Sequence, residues 1–133
     1  MKLRKSICII LLLLLPLLLT ACSKTQLQAN EKVELTFIYC DSNIQVNLTP
    51  EESAKVIEIL DGNPYDPLWG GVPSCGFDDN ISLKVGNRTF AIACDTCPSV
   101  LDVSKLRYFG ISQSEMDYIH KLFESYGGRF PCV

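Results

Sequence analysis

Apolar residues at every second position constrain the fold of this chain most strongly. Between residues 33 and 48 they recur with this period on both sides of a polar turn, as in half-buried strands. If Ser42 and Asn43 form the loop, Tyr39 lies opposite Val46, and the large apolar side chains of both strands share one face. The pattern therefore predicts an antiparallel hairpin.

A second hairpin is predicted from residues 80–85 and 88–94. Gly86 and Asn87 between them suit a tight turn that needs positive φ angles. Pairing Val85 with Arg88 also sets large apolar residues opposite one another, Leu83 with Phe90 and Ile81 with Ile92. Residues 99–103 and 106–109 predict two further short strands around Ser104 and Lys105.

Two helices are indicated by capping boxes, in which a Ser or Thr N-cap is followed three residues later by Glu. The first box runs from Thr49 to Glu52 and predicts a helix to about Leu60. Its apolar stripe contains Ile57 and Leu60 with either Ala54 or Val56. The second box begins at Ser112, and apolar residues then recur at helical spacing as far as two glycines: Met116, Ile119, Phe123 and Tyr126.

The order strand, strand, helix, strands, helix predicts an α+β domain. We expect a small antiparallel sheet with the two helices packed on one face. The single domain is predicted to span residues 33–133.

The residues before this domain have the layout of a cleaved leader. Positive charges at the N-terminus precede a leucine-rich run from 9 to 19, which ends in Leu19-Thr20-Ala21-Cys22. This ending resembles the lipobox of bacterial lipoproteins. The resemblance implies that residues 1–21 are a signal peptide and that Cys22 becomes the lipidated N-terminus, carrying a diacylglyceryl group. Beyond the lipobox, the layout resembles small envelope lipoproteins of unassigned function.

An ordinary secretory signal or a short transmembrane anchor is the alternative interpretation of this leader. The apolar run from 7 to 21 contains 15 residues and is interrupted by Pro16, whereas a spanning helix needs about 20. Cleavage is therefore favoured over spanning. Residues 22–32 are then predicted to be the lipidated cysteine and a flexible tether, which places the domain on the extracytoplasmic face of a bacterial cell membrane or envelope.

Cleavage also changes the charge of the protein. The 112 residues after residue 21 keep nine of the 12 basic residues and all 15 acidic ones, a net charge of −6. Nucleic acid binding needs a basic patch, so nucleic acid is excluded as a partner. The expected partners are the membrane, through the lipid on Cys22, and an unknown protein, peptide or small ligand.

Five cysteines lie in the predicted domain: Cys40, Cys75, Cys94, Cys97 and Cys132. Extending the second hairpin brings Cys75 and Cys97 within about one residue of opposition, so we predict a disulfide between them. Cys94 shares the parity of the core-facing residues and is expected to point inward. Cys40 with Cys132 is a guess that no register supports.

Cys94 and Cys97 also form a C-x-x-C motif, which raises the alternative of an extracytoplasmic thiol-disulfide redox protein. Such proteins place the first cysteine at the start of a helix, but the residues after Cys97 are rich in β-formers. A zinc site from Cys75, Cys94 and Cys97 with Cys40 or His120 is a third interpretation, although only one closely spaced pair exists. We expect no metal, no cofactor and no catalytic residue.

A loop rich in proline and glycine, residues 61–73, is the candidate recognition element. It carries Tyr65, Leu68 and Trp69, and exposed aromatic residues on a constrained loop are a common binding device. The competing interpretation is that Trp69 folds back and closes an open end of the core. The leading hypothesis is a membrane-tethered, non-enzymatic binding domain.

Overall fold

The computed structural model describes residues 24–39, 41–68 and 70–130. In these ranges the chain forms one antiparallel sheet with the strand order β2-β1-β3-β4-β5-β6. Two helices accompany it, so the predicted α+β class and element order are confirmed. The elements are β1 (Val33–Tyr39), β2 (Ser42–Asn47), α1 (Pro50–Leu60), β3 (Phe77–Val85), β4 (Arg88–Ala93), β5 (Ser99–Asp102), β6 (Arg107–Gly110) and α2 (Gln113–Ser125).

The hydrophobic core lies between one face of the sheet and the two helices. Strand pairing puts the large buried apolar residues of β1, β3, β4, β5 and β6 on a common face, and both helices contribute to the same cluster. The largest fully buried side chains are Phe37, Phe90, Phe109 and Phe123. Burial of this apolar surface is the main force that holds the helices on the sheet.

Both predicted capping boxes are present. Thr49 Oγ1 accepts a hydrogen bond from the backbone N–H of Glu52 at 3.2 Å, and the Glu52 carboxylate accepts one from the N–H of Thr49 at 2.9 Å. Ser112 and Glu115 repeat the arrangement at the start of α2. In α1 the buried stripe uses Val56, and Ala54 is exposed.

The first hairpin closes two residues earlier than the sequence pattern predicts. Tyr39 pairs with Ser42 and Phe37 with Ile44, rather than with Val46 and Leu48. The predicted register would set Leu35 opposite Pro50, the first residue of α1, and leave the start of β1 unpaired. Because the two registers differ by an even number of residues, the apolar side chains stay on the predicted face.

The second hairpin has the predicted pairing near its turn, where Val85 lies opposite Arg88. The regular ladder extends only to Ser82 opposite Ala91, short of the predicted pair of isoleucines. An irregularity follows, and Phe77 then pairs with Ala93. The pairing near the cysteines therefore differs from the register that the turn would set if the ladder continued without interruption.

Residues 24–32, expected to form a flexible tether, instead lie against the domain. Lys24 forms an isolated β-bridge with Pro64, and Thr25 is only 1% exposed. Leu27 packs against the core. The sequence of this segment suggested a tether because its apolar residues show no periodicity. The contacts that order it come from residues about 35 positions away in the chain.

The predicted signal peptide, Cys22, Cys40, Trp69 and Cys132 lie outside the described residues. Within the described ranges, neither helix has the length and apolar character needed to cross a bilayer.

Candidate functional site

A buried polar cluster lies at the end of the sheet where β4 begins and β5 ends. The Asp102 side chain is fully buried and forms an ion pair with Arg88, whose side chain is 20% exposed. The hydroxyl of Tyr65 donates to Asp102 Oδ2 at 2.6 Å and accepts from Arg88 Nη2 at 2.8 Å. The three side chains therefore form a closed hydrogen-bonded triangle inside the domain.

The electrostatics of this triangle favour fixed protonation states. Burial alone would raise the pKa of Asp102, but hydrogen bonds from Tyr65 and Arg88 outweigh it, so the pKa lies below its ordinary value. Burial and the hydrogen bond to Asp102 raise the pKa of Tyr65 to about 12. Both shifts favour an ionised Asp102 and a neutral Tyr65 at neutral pH. The triangle links the loop after α1 to strands β4 and β5.

This link reaches the N-terminal segment. Arg88 Nη1 donates to the backbone carbonyl of Gln26 at 2.7 Å, and the backbone N–H of Ser104 donates to Asp102 Oδ1 at 3.1 Å. The guanidinium also lies over the ring of Phe90, 5.1 Å from its centroid. One cluster thus joins residues 24–28, the loop after α1 and strands β4 and β5.

Thr25 fixes the N-terminal segment a second time. Its hydroxyl donates to the carbonyl of Leu60 at 2.6 Å and accepts from the backbone N–H of Asn63 at 2.9 Å. Backbone hydrogen bonds between Thr25 and both Asn63 and Gly62 complete the attachment. The chain is consequently held at the start of the loop, within a few residues of Tyr65.

The predicted recognition loop divides into a buried and an exposed part. Tyr65 is buried, and its ring packs edge-on against Phe109 with 6.0 Å between centroids. Arg107 and Lys105 lie over the same ring at 5.0 and 5.2 Å. Tyr65 thus closes the end of the core and offers no contact surface to a ligand, whereas Leu68 is exposed.

The exposed part of the loop borders a shallow cleft of about 190 Å³ along β6. Asp66 anchors the loop there, because its N–H donates to the carbonyl of Tyr108 at 2.7 Å and its carbonyl accepts from Arg107 at 2.8 Å. Three large apolar side chains that line this cleft are mostly exposed: Leu68 (77%), Val72 (74%) and Leu106 (77%). We call these three side chains the loop patch.

The loop patch is unusual for this surface. Only one other large apolar side chain in the described ranges is exposed, Ile38 in β1. Leu106 also has a φ of 52°, a left-handed conformation that costs a bulky residue conformational energy. Exposed apolar residues grouped around a cleft mark interaction sites more often than scattered ones do.

A larger hollow, about 520 Å³, lies between residues 29–32 and the start of α1. Its lining mixes the polar residues Asn30, Glu31, Lys32 and Asn47 with Ala29, Leu48 and Pro50. None of these residues is a large apolar side chain exposed to solvent. We therefore place the candidate site at the loop patch.

The predicted disulfide between Cys75 and Cys97 is present, with 5.7 Å between the Cα atoms. Asp95 shapes the connecting turn by accepting from the backbone N–H groups of Gly76 and Cys97. A Cβ at position 76 would lie 2.7 Å from Cys94 Sγ, so the glycine is required for close packing. Cys94 itself packs against the core, as the strand parity predicts.

These contacts do not favour the redox or zinc interpretations. Cys97 is bonded to Cys75, not to Cys94, and the residues that follow form β5 instead of a helix. Asp95 lies close enough to both bonded sulfurs to suggest a metal cluster, but a disulfide offers no thiolate ligand.

His120 contacts the end of β4 and the chain after α2. Its Nε2 lies 3.1 Å from the carbonyl oxygen of Ala93, and its ring stacks on Phe130 with 3.9 Å between centroids. Burial lowers its pKa, although the Ala93 carbonyl and nearby carboxylates oppose this effect. The arrangement is that of a packed core histidine.

Sequence reasoning missed the roles of Arg88, Asp102 and Thr25. An acidic residue at a core-facing position of the short strand 99–103 was the available signal, since a buried carboxylate requires a partner. Nothing local in the sequence identifies that partner, because Tyr65 and Arg88 are 37 and 14 residues away.

Comparisons of the chain with protein-family models, with curated proteins and with solved structures found no match. The described residues form a small α+β domain with a six-stranded antiparallel sheet.

Proposed function

We propose that this protein is a lipid-anchored lipoprotein of the extracytoplasmic face of a bacterial cell membrane or envelope, and that its domain binds a partner without catalysis. The anchor rests on the sequence Leu19-Thr20-Ala21-Cys22 and on the charged, leucine-rich residues before it. The partner is a protein, a peptide or a small ligand in addition to the membrane.

The loop patch is the observation that carries the binding role. Three exposed apolar side chains around one cleft cost solubility and do not contribute to the core. The loop that presents two of them is held at both ends, by Tyr65 in the buried triangle and by the disulfide at Cys75. A pre-ordered apolar surface loses little conformational entropy on binding, which favours affinity.

Metabolic labelling with an alkyne fatty acid tests the anchor. The full chain should take up label, and the Cys22→Ala variant should lose it. Cys8→Ala is the matched control, since Cys8 lies in the predicted leader and should be dispensable for labelling. Label retained by Cys22→Ala would overturn the anchor.

Crosslinking in native membranes tests the binding role. The double variant Leu68→Ser, Leu106→Ser should lose the crosslinked adduct, whether that adduct is a protein, a peptide, a small ligand or a membrane lipid. The variant Ile38→Ser, which removes an exposed apolar side chain elsewhere on the surface, should keep it. Equal crosslinking by both variants would exclude the loop patch as the binding surface.

A further inference from the structure

The proposed lipid anchor on Cys22 lies close to the loop that carries Leu68 and Val72. Lys24 is held against Pro64 by a β-bridge, and the two residues from Cys22 to Lys24 span at most about 7 Å. A free tether of ten residues would reach about 35 Å. The ordered segment therefore keeps a lipid on Cys22 close to Pro64, which lies in the loop 61–73.

The register of the sheet places the loop patch at the same end of the molecule. Val33 pairs with Val85, and Val85 pairs with Arg88, so residue 32 lies at the turn between β3 and β4. Phe90 pairs with Asp102, so the turn between β5 and β6, which carries Leu106, lies at this end as well.

The end of the domain that carries the β3–β4 and β5–β6 turns suits a membrane surface better than the net negative charge of the whole domain would suggest. Lys24, Lys32, Lys105 and Arg107 lie at this end, together with the carboxylates of Glu31, Asp61 and Asp66. The buried Asp102 is paired with Arg88. The chain after residue 21 has nine basic and 15 acidic residues, so this end is less acidic than the rest of the domain. Basic side chains beside exposed leucines are typical of surfaces that lie at the boundary of headgroups and acyl chains.

From this geometry we infer that the partner of the loop patch is the lipid bilayer itself, one that contains anionic headgroups. Leu68, Val72 and Leu106 enter the boundary between headgroups and acyl chains, and the buried triangle and Thr25 fix the domain in one orientation above it. This inference rests on the proposed lipid anchor. It makes the domain an oriented membrane-surface module rather than a freely tumbling one.

Quenching by brominated lipids tests the inference on the full lipidated protein in phosphatidylcholine–phosphatidylglycerol vesicles. In a Trp69→Phe background, Leu106→Trp and Leu68→Trp each supply a single tryptophan in the loop patch. Ile38→Trp is the matched control, because Ile38 is exposed but lies roughly 25 Å from Leu106, with β3, β4 and β5 between them and at the other end of β1. Far-ultraviolet circular dichroism checks that each variant is folded.

Brominated acyl chains should reduce the emission of the tryptophans at positions 68 and 106 by about twofold, and leave the one at position 38 nearly unchanged. Equal quenching at positions 38 and 106, or none at 68 and 106, would overturn the inference. The mass of the N-terminal peptide separates the two proposals. Absence of lipid on Cys22 refutes the proposed function, whereas a lipidated protein without quenching refutes only the bilayer contact.

Discussion

Replacing Asp102 by Asn probes the buried triangle that holds the N-terminal segment. The substitution preserves shape and keeps an acceptor for the backbone N–H of Ser104, but it leaves the guanidinium of Arg88 without its counter-charge. Breaking a buried ion pair costs about 3–5 kcal/mol. Because the Arg88 side chain is 20% exposed, water can hydrate part of the unpaired guanidinium and reduce this cost. We therefore expect the free energy of unfolding to fall by about 2–3 kcal/mol.

Urea unfolding at pH 7, with the disulfide intact, measures this loss. For a domain of this size the midpoint should fall by about 2 M. Asp79→Asn, which removes an exposed charge from β3, is the matched control and should change stability by less than about 0.5 kcal/mol. In a double-mutant cycle, Arg88→Met should cost much less in the Asp102→Asn background than in the wild type.

The pH dependence of the same measurement gives a second check. The pKa of Asp102 is lower in the folded protein than in the unfolded chain, where it is about 3.9. The contribution of Asp102 to the free energy of unfolding is therefore complete above about pH 3.9 and is lost as the pH falls through the pKa of the folded protein. Strictly additive effects in the cycle, or a loss below about 1 kcal/mol for Asp102→Asn, would refute the assignment of the triangle as a structural link.

Three further predictions concern other parts of the domain. Replacing Cys75 and Cys97 by Ser opens a loop of 22 residues in sequence separation, which should lower the free energy of unfolding by about 3 kcal/mol; an unchanged urea midpoint would contradict this. Burial lowers the pKa of His120 in the folded protein. The neutral imidazole therefore contributes fully to the free energy of unfolding above the pKa of the unfolded chain, about 6.5, and this contribution is lost as the pH falls through the folded pKa. His120→Gln should remove this pH dependence from thermal unfolding between pH 5 and 7. Thr25→Val removes one buried and one partly buried hydrogen bond and should increase deuterium exchange of residues 24–30. Thr36→Val on the outer face of the sheet is the control, and equal exchange in both variants would show that Thr25 does not hold the segment.

Local signals in the sequence predicted most of the fold. Thr49 with Glu52 and Ser112 with Glu115 fix where the helices begin, because a capping box involves only neighbours in the chain. Alternation of apolar residues identified the strands and the face that each one buries, since the side-chain period of a strand is two. The pairing of Val85 with Arg88 followed from the turn between them.

The candidate site was only partly predictable. The sequence indicated the loop 61–73 and named Tyr65 and Leu68 together, but their roles differ because Tyr65 meets a buried carboxylate and Leu68 does not. Leu106 and Val72 had no signal of their own. Their exposure depends on how the loop crosses β6, which no local pattern encodes.

The amino-acid sequence by itself determined the α+β class, the helix starts, the inward faces of the strands and the disulfide partners, because periodicity and capping act over a few residues. Tertiary structure alone decided the register of the first hairpin, the burial of Thr25 and the closure of the triangle around Asp102. Those features join segments that are tens of residues apart, and their free energy arises only when the folded core brings these polar groups together and excludes water.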